Sequence, residues 1–450
     1  MNLLETSKFE IPTRKFLYAL GCVITCAFIL MMTHGSCYAQ EDTKTQDSIR
    51  LANEVDISDI FRKWGKKPKK TVIDTPRQGV KNLSLIPILG YSPENGFLIG
   101  AAISATEFLG DPKITKLSTA MTNTSLTSKE QIIINLRFDI YTTDNKWYIS
   151  GDNRLLFFTQ PTYGLGIYGL HNQHYTFSWN GISTTTHDSL EQPLNYNYLR
   201  FYETFLRKVA NDWYAGVGVM VDIDTKIEDE SLRLDSPVHL TSHYIYSTEY
   251  NFNQTHYSAN GLSLQVMHDS RDNPVNPYKG SYFNVAFRVN PKALGSSQNS
   301  TVVYYEYRTY IGVNKAKPAN LIAFWLWGAS VTSGRLPYLD LPSITWDTYN
   351  RSGRGYIQGR FRGNDMIYGE SEFRFQLSKN GLFGGVTFVN FTTASNPLPY
   401  SNQPLFNTVA PGYGFGLRIK MNKVDRTNIT ADYGRSYGFS GIYLNIRETF

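Results

Sequence analysis

From residue 82 onward, apolar and polar positions alternate with a period of two in one segment after another. Ile132, Ile134, Leu136, Phe138 and Ile140 share one face of an extended chain, and Asn135, Arg137 and Asp139 share the other. Phe283, Val285, Phe287 and Val289 likewise oppose Tyr282, Asn284 and Arg288. Val303, Tyr305 and Tyr307 oppose Glu306 and Arg308, and Phe415, Leu417, Ile419 and Met421 oppose Arg418 and Lys420. A soluble β-sandwich alternates too. Arg, Glu and Lys recurring at the polar positions, with Tyr and Trp near the segment ends, instead fit a wall between lipid and a wet, charged interior. The pattern predicts about sixteen strands, at 83–91, 95–108, 114–126, 130–142, 146–159, 194–209, 212–224, 257–270, 280–290, 300–313, 320–334, 364–378, 381–393, 410–422, 427–436 and 440–450. The fold class expected is all-β, a transmembrane antiparallel β-barrel.

The connections support that count. If the first strand leaves the periplasm, every odd-to-even connection is extracellular, and these include all the long ones, 160–193, 225–256, 335–363 and 394–409. The others are short turns, such as Gly110, Asp111 and Pro112, or Lys379, Asn380 and Gly381. Long loops on one side and short turns on the other is the asymmetry of an outer-membrane barrel, and a miscount by one strand destroys it. The apolar run Leu321 to Ala329 is too short for a spanning helix and fits a barrel strand.

Composition agrees: aromatic residues make up 14% of the chain, with 31 Tyr, yet the mean hydropathy of −0.32 is that of a soluble protein. Met1–Ala39 reads as a secretory signal peptide, with Lys8, Arg14 and Lys15 before an apolar run from Phe16 to Met32 and a small-residue exit at Ala39. All three cysteines, Cys22, Cys26 and Cys37, lie in it, so the expected mature chain has no disulfide, Cys-ligated metal or Cys nucleophile. The formal charge of +6 loses three basic and two acidic residues with that segment, and so mild an excess does not argue for nucleic acid. Residues 40–81 read as a polar periplasmic linker ending in a basic patch, Arg62, Lys63, Lys66, Lys67, Lys69 and Lys70, with a short amphipathic stretch at Ile57–Trp64 suited to lying on the membrane or plugging the barrel. The barrel is expected to occupy 82–450.

One stretch combines two chemistries. Asp347 to Leu377 begins as a Gly- and Arg-rich loop and ends as a strand whose Gly369, Ser371, Phe373, Phe375 and Leu377 oppose Tyr368, Glu370, Glu372, Arg374 and Gln376. Gly353, Arg354, Gly355 and Tyr356, then Gly359 and Arg360, then Glu372 and Arg374, resemble the Arg-Gly-Phe/Tyr loop and following strand of the BamA/TamA superfamily, the bacterial surface antigen family. A second stretch, Asp269, Ser270, Arg271, Asp272, Asn273 and Pro274 with Lys279, Gly280 and Ser281, is similar to a periplasmic turn motif of that family. The segment Ser440–Phe450, ending on Phe450, is similar to the terminal signal by which barrel-assembly machinery recognises its substrates. The resemblance implies that residues 335–363, between the eleventh and twelfth strands, fold back into the lumen, with Arg354 reaching acidic or polar groups on the inner wall. Either Glu370 or Glu372 is the expected charged partner. Asn390, where many relatives carry Asp, is expected to bond the guanidinium without charge assistance. Forty residues of linker are too few for an accessory POTRA domain.

Catalysis is the first rival. His268, Ser270 and Asn273 echo the His-x-Ser and Asn of outer-membrane phospholipases, but they fall at the periplasmic end of a strand and match the turn motif, so Asp269, Arg271 and Asp272 read as turn-fixing groups and the chain as no enzyme. No metal or cofactor constellation appears. Three readings remain: a barrel that inserts or exports polypeptides, which the resemblance implies; a passive or gated channel; and a structural or surface-interaction barrel. The expected partners are outer-membrane lipids, the machinery that inserts the barrel itself, and polypeptide clients.

Overall fold

A computed structural model describes residues 51, 53–64, 78–92, 95–167, 176–185, 191–235, 239–398, 401 and 403–450. The expected signal peptide and most of the basic patch lie outside the described residues. The strands are β1 (Asn82–Ser92), β2 (Gly96–Glu107), β3 (Ser118–Thr127), β4 (Ile132–Tyr141), β5 (Trp147–Thr162), β6 (Thr176–Trp179), β7 (Ile182–Thr185), β8 (Gln192–Ala210) and β9 (Trp213–Asp229). After them come β10 (His256–Asp269), β11 (Gly280–Asn290), β12 (Ser300–Gly312), β13 (Leu321–Gly334), β14 (Asp365–Gln376), β15 (Phe383–Ala394), β16 (Ala410–Asn422), β17 (Thr427–Ser436) and β18 (Phe439–Ile446). All but β6 and β7 form one 16-stranded sheet in which each strand pairs with its neighbours in sequence, so the expected strand count and order hold. β6 and β7 make a separate hairpin within a long loop.

The alternation decides which face each side chain takes. Ile132 and Leu136 lie exposed on the outer face of β4, while Asn135 and Arg137 are buried on the inner one. Phe373 points outward from β14, and Glu370, Glu372 and Arg374 point inward. Two expected boundaries move for local reasons. β3 begins at Ser118 rather than 114, because the Ile114 and Thr115 amides both turn back to the Asp111 carbonyl. β9 runs on to Asp229, past Lys226 in the left-handed region (φ 53°), where the ladder with β8 shifts register.

The long connections all lie at one rim, and they are packed rather than loose. Leu165, Trp179, Leu240, Ile245, Tyr246, Phe252, Leu336, Tyr338 and Leu341 from these loops bury against Leu194, Tyr196 and Tyr198 of the wall. A helix inside this cap, α2 (Ser242–Glu249), is started by Thr241, whose side chain accepts from the Tyr244 amide.

At the short-turn rim, part of the expected linker is ordered. A helix, α1 (Ile57–Trp64), follows Asp56, whose carboxylate accepts from the Asp59 amide while Asp59 accepts from the Asp56 amide. Val55 donates to the Asn380 carbonyl (2.9 Å), and Lys423, in the turn between β16 and β17, reaches Asp59 (2.8 Å) and the Glu54 carbonyl (3.2 Å). These bonds hold the stretch against the turns that follow β14 and β16.

The sheet has two edges. β1 and β18 lie side by side, and no hydrogen-bonded ladder joins them among the described residues, where a closed pair was expected. β18 stops at Ile446, short of the expected strand to 450; Arg447 adopts a left-handed conformation (φ 75°) and residues 447–450 turn into the lumen.

Candidate functional site

The loop between β13 and β14 fills the lumen as expected, and its motif forms the centre of a buried ionic network. Gly353 (φ 78°) and Gly355 (φ 104°) hold left-handed backbone on either side of Arg354. That turn delivers the guanidinium to three carboxylates. It bonds Glu370 at 2.6 and 3.3 Å and Asp432 on β17 at 2.7 Å, and it contacts Glu372. All four groups are buried. Burial opposes the charge on Arg354, but the three carboxylates outweigh it and hold its pKa well above the ordinary value. The ring of Phe388 lies 3.6 Å from the guanidinium carbon and covers its remaining face.

Asp432 is the partner that sequence reasoning missed. The alternation of β17, with Asn428, Thr430 and Asp432 inward, places it on the inner wall, but nothing in the linear pattern places β17 opposite the loop. Asn390 takes a different role from the one expected: its Nδ2 donates to the Arg354 carbonyl (2.9 Å) and to Glu370 (3.3 Å), so it fastens the loop backbone, while its Oδ1, the atom that could accept from the guanidinium, is buried without a partner. Arg374 also faces inward but does not hold the loop. It pairs with Glu372 (2.6 Å) and donates to the Phe450 carbonyl (2.8 Å). Arg360 lies over the Tyr163 ring at 4.3 Å. Gly359 (φ 77°) has its Cα against Gln160, and Tyr356 donates to the Pro411 carbonyl (2.6 Å).

The loop also grips the last two strands. The Gly355 amide donates to the Tyr443 hydroxyl and that hydroxyl donates to the Tyr356 carbonyl, both at 2.9 Å. The Ser436 hydroxyl donates to the Gly355 carbonyl. A Cβ on Gly434 would stand 2.5 Å from the Gly355 amide nitrogen, so loop and β17 touch backbone to backbone. Gly434 is therefore needed for this approach. Arg351 donates to the Ile446 carbonyl (2.6 Å) and the Glu448 carbonyl, and burial together with neighbouring Arg447 lowers its pKa to about 10.

Phe450 sits inside the barrel, a correction to its expected place at the end of a strand. Its ring stacks on Trp325 (5.3 Å, 30°) and lies 5.1 Å from the Arg374 guanidinium. Burial works against the charge on Glu448, but Arg418 and Arg374 outweigh it and hold the carboxyl at about 2. Arg418 bridges Glu448 (2.7 Å) and Asp432 (2.5 Å), so tail, β17 and lumen loop share one network. Beside it lies a cavity of about 240 Å³ lined by Arg137, Arg200, Arg308, Tyr349 and Phe450, among others.

The second motif behaves as a turn. Asp269 is buried against Arg271 (2.9 Å) and the Tyr141 hydroxyl (2.6 Å), and Lys116 donates to its carbonyl. Asp272 accepts from the Tyr278 amide and pairs with Arg426, both at 2.9 Å or less. The Asn273 side chain accepts from the Val275 and Asn276 amides, Pro274 lines the cavity, and Gly280 (φ 96°) closes the turn against the Ser270 carbonyl. His268 instead faces the Trp213 ring at 4.9 Å, and Ser270 bonds Ser281 across the turn.

None of the curated protein sequences matches the chain. Among solved structures it is similar to BamA from Haemophilus ducreyi lacking POTRA domains 1-3, at 15% identity over 82% of this chain and 69% of that one, with a TM-score of 0.49. CdiB from Acinetobacter baumannii is 12% identical over 83% of this chain and 60% of its own (TM-score 0.46), and CdiB from Escherichia coli is 10% identical over 85% and 65% (TM-score 0.49). The chain thus spans less than two thirds of either CdiB chain. The Omp85 superfamily domain matches residues 135–433, from within β4 to within β17; the chain belongs to the Omp85 superfamily, whose barrels reside in the bacterial outer membrane.

Proposed function

We propose that this barrel handles polypeptides at the outer membrane, with the short-turn rim and α1 toward the periplasm, and that its working part is the seam between β1 and β18. The observation that carries this reading is the pair of free strand edges there. Every other barrel strand is hydrogen-bonded on both sides, so the seam is where an incoming client strand can pair at least cost. Outward side chains of the first hairpin, Leu83, Leu85 and Phe97, are each more than 70% exposed, more than elsewhere on the wall, which suits a surface that a client covers. The loop cap, the lumen loop and α1 occupy the route through the barrel, which favours lateral handling over a passive channel. The reading includes no catalytic step and no cofactor. The barrel itself is taken to be inserted by assembly machinery, although Phe450 would have to be presented before the tail folds inward.

Depletion followed by envelope proteomics would identify the clients. The seam is then tested by one cysteine within 83–91 and one within 441–449, scanned for pairs with Cα atoms about 5.5 Å apart that oxidise. The expected result is that the oxidised lock stops client assembly and reductant restores it. Full client assembly with a quantitatively locked seam would overturn the proposal.

A further inference from the structure

Two arginines of the lumen cavity have no carboxylate to meet them. Arg447, at the start of the tail, and Arg351, in the lumen loop, both line the cavity of about 240 Å³, at 8% and 9% exposure. Among the described residues neither forms an ion pair. Arg447 hydrogen-bonds only the hydroxyls of Thr119 and Ser104, each at 3.4 Å, and Arg351 only the carbonyls of Ile446 and Glu448. The Nε of each is buried without a partner. An enclosed guanidinium is costly unless an anion offsets its charge, so two such groups side by side mark a place where an anion is missing. The backbone is bent to put one of them there, since Arg447 holds a left-handed φ of 75°, uncommon for a residue with a Cβ.

The rest of the lining leaves that charge standing. Asp152 is shared by Arg137, Arg154 and Arg200, and Asp222 by Arg200 and Arg288, so four cations stand against two carboxylates. Glu306 is paired with Arg308 and Glu448 with Arg418, and Arg374 takes the Phe450 carbonyl. Asp139 and Asp347 are the remaining acids of the lining. The first accepts from the Tyr148 and Tyr349 hydroxyls, and the second from the Tyr349, Arg351 and Ser352 amides. Setting those two against Arg351 and Arg447 still leaves the excess around Asp152 and Asp222. The lowered pKa of Arg351 reports the same positive potential from within the loop.

We propose that this cavity binds a phosphate-class oxyanion, held by Arg447 and Arg351. The planar fork of a guanidinium matches two oxygens of such an anion and gives charge-assisted hydrogen bonds that the Thr119 and Ser104 hydroxyls do not. Arg137 stands next to the pair: its guanidinium and that of Arg351 lie 5.9 and 5.6 Å from the Tyr349 ring. The cavity has the volume of roughly eight waters, at about 30 Å³ each. It therefore admits the group either as free phosphate or as the phosphoryl end of a small molecule, whose remainder would lie against the Trp346 and Tyr349 rings of the lining.

The test is calorimetric titration of the full, detergent-folded chain with inorganic phosphate and, separately, with glycerol 3-phosphate, at constant ionic strength so that general screening does not change. The expected result is a single saturable phase; tighter binding of phosphate assigns the free ion, and tighter binding of glycerol 3-phosphate assigns the ester. Loss of a charged hydrogen-bonding partner weakens binding roughly ten- to a hundredfold, so Arg447→Gln should lower the affinity by that factor. Arg447→Lys, which keeps the charge but not the fork, should lower it less. Arg207→Gln removes an equal charge from the exposed outer face of β8 and should leave the affinity unchanged. Heat-modifiable mobility shows that each variant is folded, and Arg447→Lys carries the comparison should Arg447→Gln not fold. No saturable binding of either anion, an affinity indifferent to substitution of Arg447, or an equal loss in Arg207→Gln would each overturn the proposal.

Discussion

Arg354→Ala is the perturbation that most directly tests the lumen network. The guanidinium serves Glu370, Glu372 and Asp432 together. After truncation Asp432 keeps Arg418 (2.5 Å) and Glu372 keeps Arg374 (2.6 Å), but Glu370 is left with the Tyr368 hydroxyl (2.6 Å) and the Asn390 amide (3.3 Å) and no cation. Removing one partner of a buried ion pair costs about 3–5 kcal/mol. Two of the three carboxylates retain a cation and the third retains two hydrogen-bond donors, which places the expected loss near the lower bound, about 3 kcal/mol. The measurement is urea unfolding of the detergent-folded barrel at pH 8, followed through Trp325 and Trp327, whose rings flank Tyr368. Glu370→Gln supplies the internal check. Alone it should destabilise, but on the Arg354→Ala background it removes the stranded charge and should recover about 1–2 kcal/mol. Arg354→Lys should fall between, because a point charge cannot span three carboxylates as a planar fork does. A loss under about 1 kcal/mol, or a Glu370→Gln effect that adds to Arg354→Ala, would refute the network as the anchor of the loop.

Asp340, in the same loop, is half-buried with its Oδ2 enclosed and without a hydrogen-bond partner, and desolvation followed by the nearby Asp222 raises its pKa well above the ordinary value despite Arg288, Arg200 and Arg362 nearby. The folded state therefore keeps a proton that the unfolded chain releases near pH 4. Its stabilising contribution is complete below that pH and is lost as pH rises through the folded-state pKa. Asp340→Asn should accordingly raise the melting temperature at neutral and alkaline pH and flatten its pH dependence, as a thermal-unfolding series would show. Gly434→Ala places a methyl against the Gly355 amide, and overpacking of this kind costs about 1–3 kcal/mol. The expected readout is faster tryptic cleavage within residues 349–361; unchanged cleavage would mean that loop and β17 do not press together.

What the sequence revealed and what it concealed divide along physical lines. The alternation at Ile132–Ile140 or Tyr368–Gln376 reports which side chain faces which way, because a pleated strand leaves no other choice, and the number and order of strands follow. The turn at Asp269–Gly280 was legible because the bonds that shape its backbone, from the Tyr278, Val275 and Asn276 amides to Asp272 and Asn273, are local, whereas its ties to Tyr141, Lys116 and Arg426 were not. Contacts across the lumen were not: Arg354 and Asp432 are separated by 78 residues, and only the curvature of the sheet brings β17 to the loop. Phe450 was misplaced for a related reason, since the alternation of β18 continues past Ile446 on paper. The pull that bends the tail inward comes from Arg351, Arg374 and Trp325 on distant elements.

The clasp at the short-turn rim has a consequence for the order of assembly. Asp56 and Asp59 precede β1, yet the backbone and side chain of Lys423 that they bind lie some 364 to 367 residues further on. A chain synthesised from its amino end carries α1 from the start, but Asp56 and Asp59 have no Lys423 to bind until β16 and β17 have been made and folded against one another. Joining ends so far apart costs only modestly more than joining nearer ones, since the entropy of loop closure grows as the logarithm of its length. The event is thus late without being improbable. Seating of α1 then marks a finished barrel, and a spectroscopic label on Ser58 would time completion, whereas labels in the hairpins would time only their local pairing.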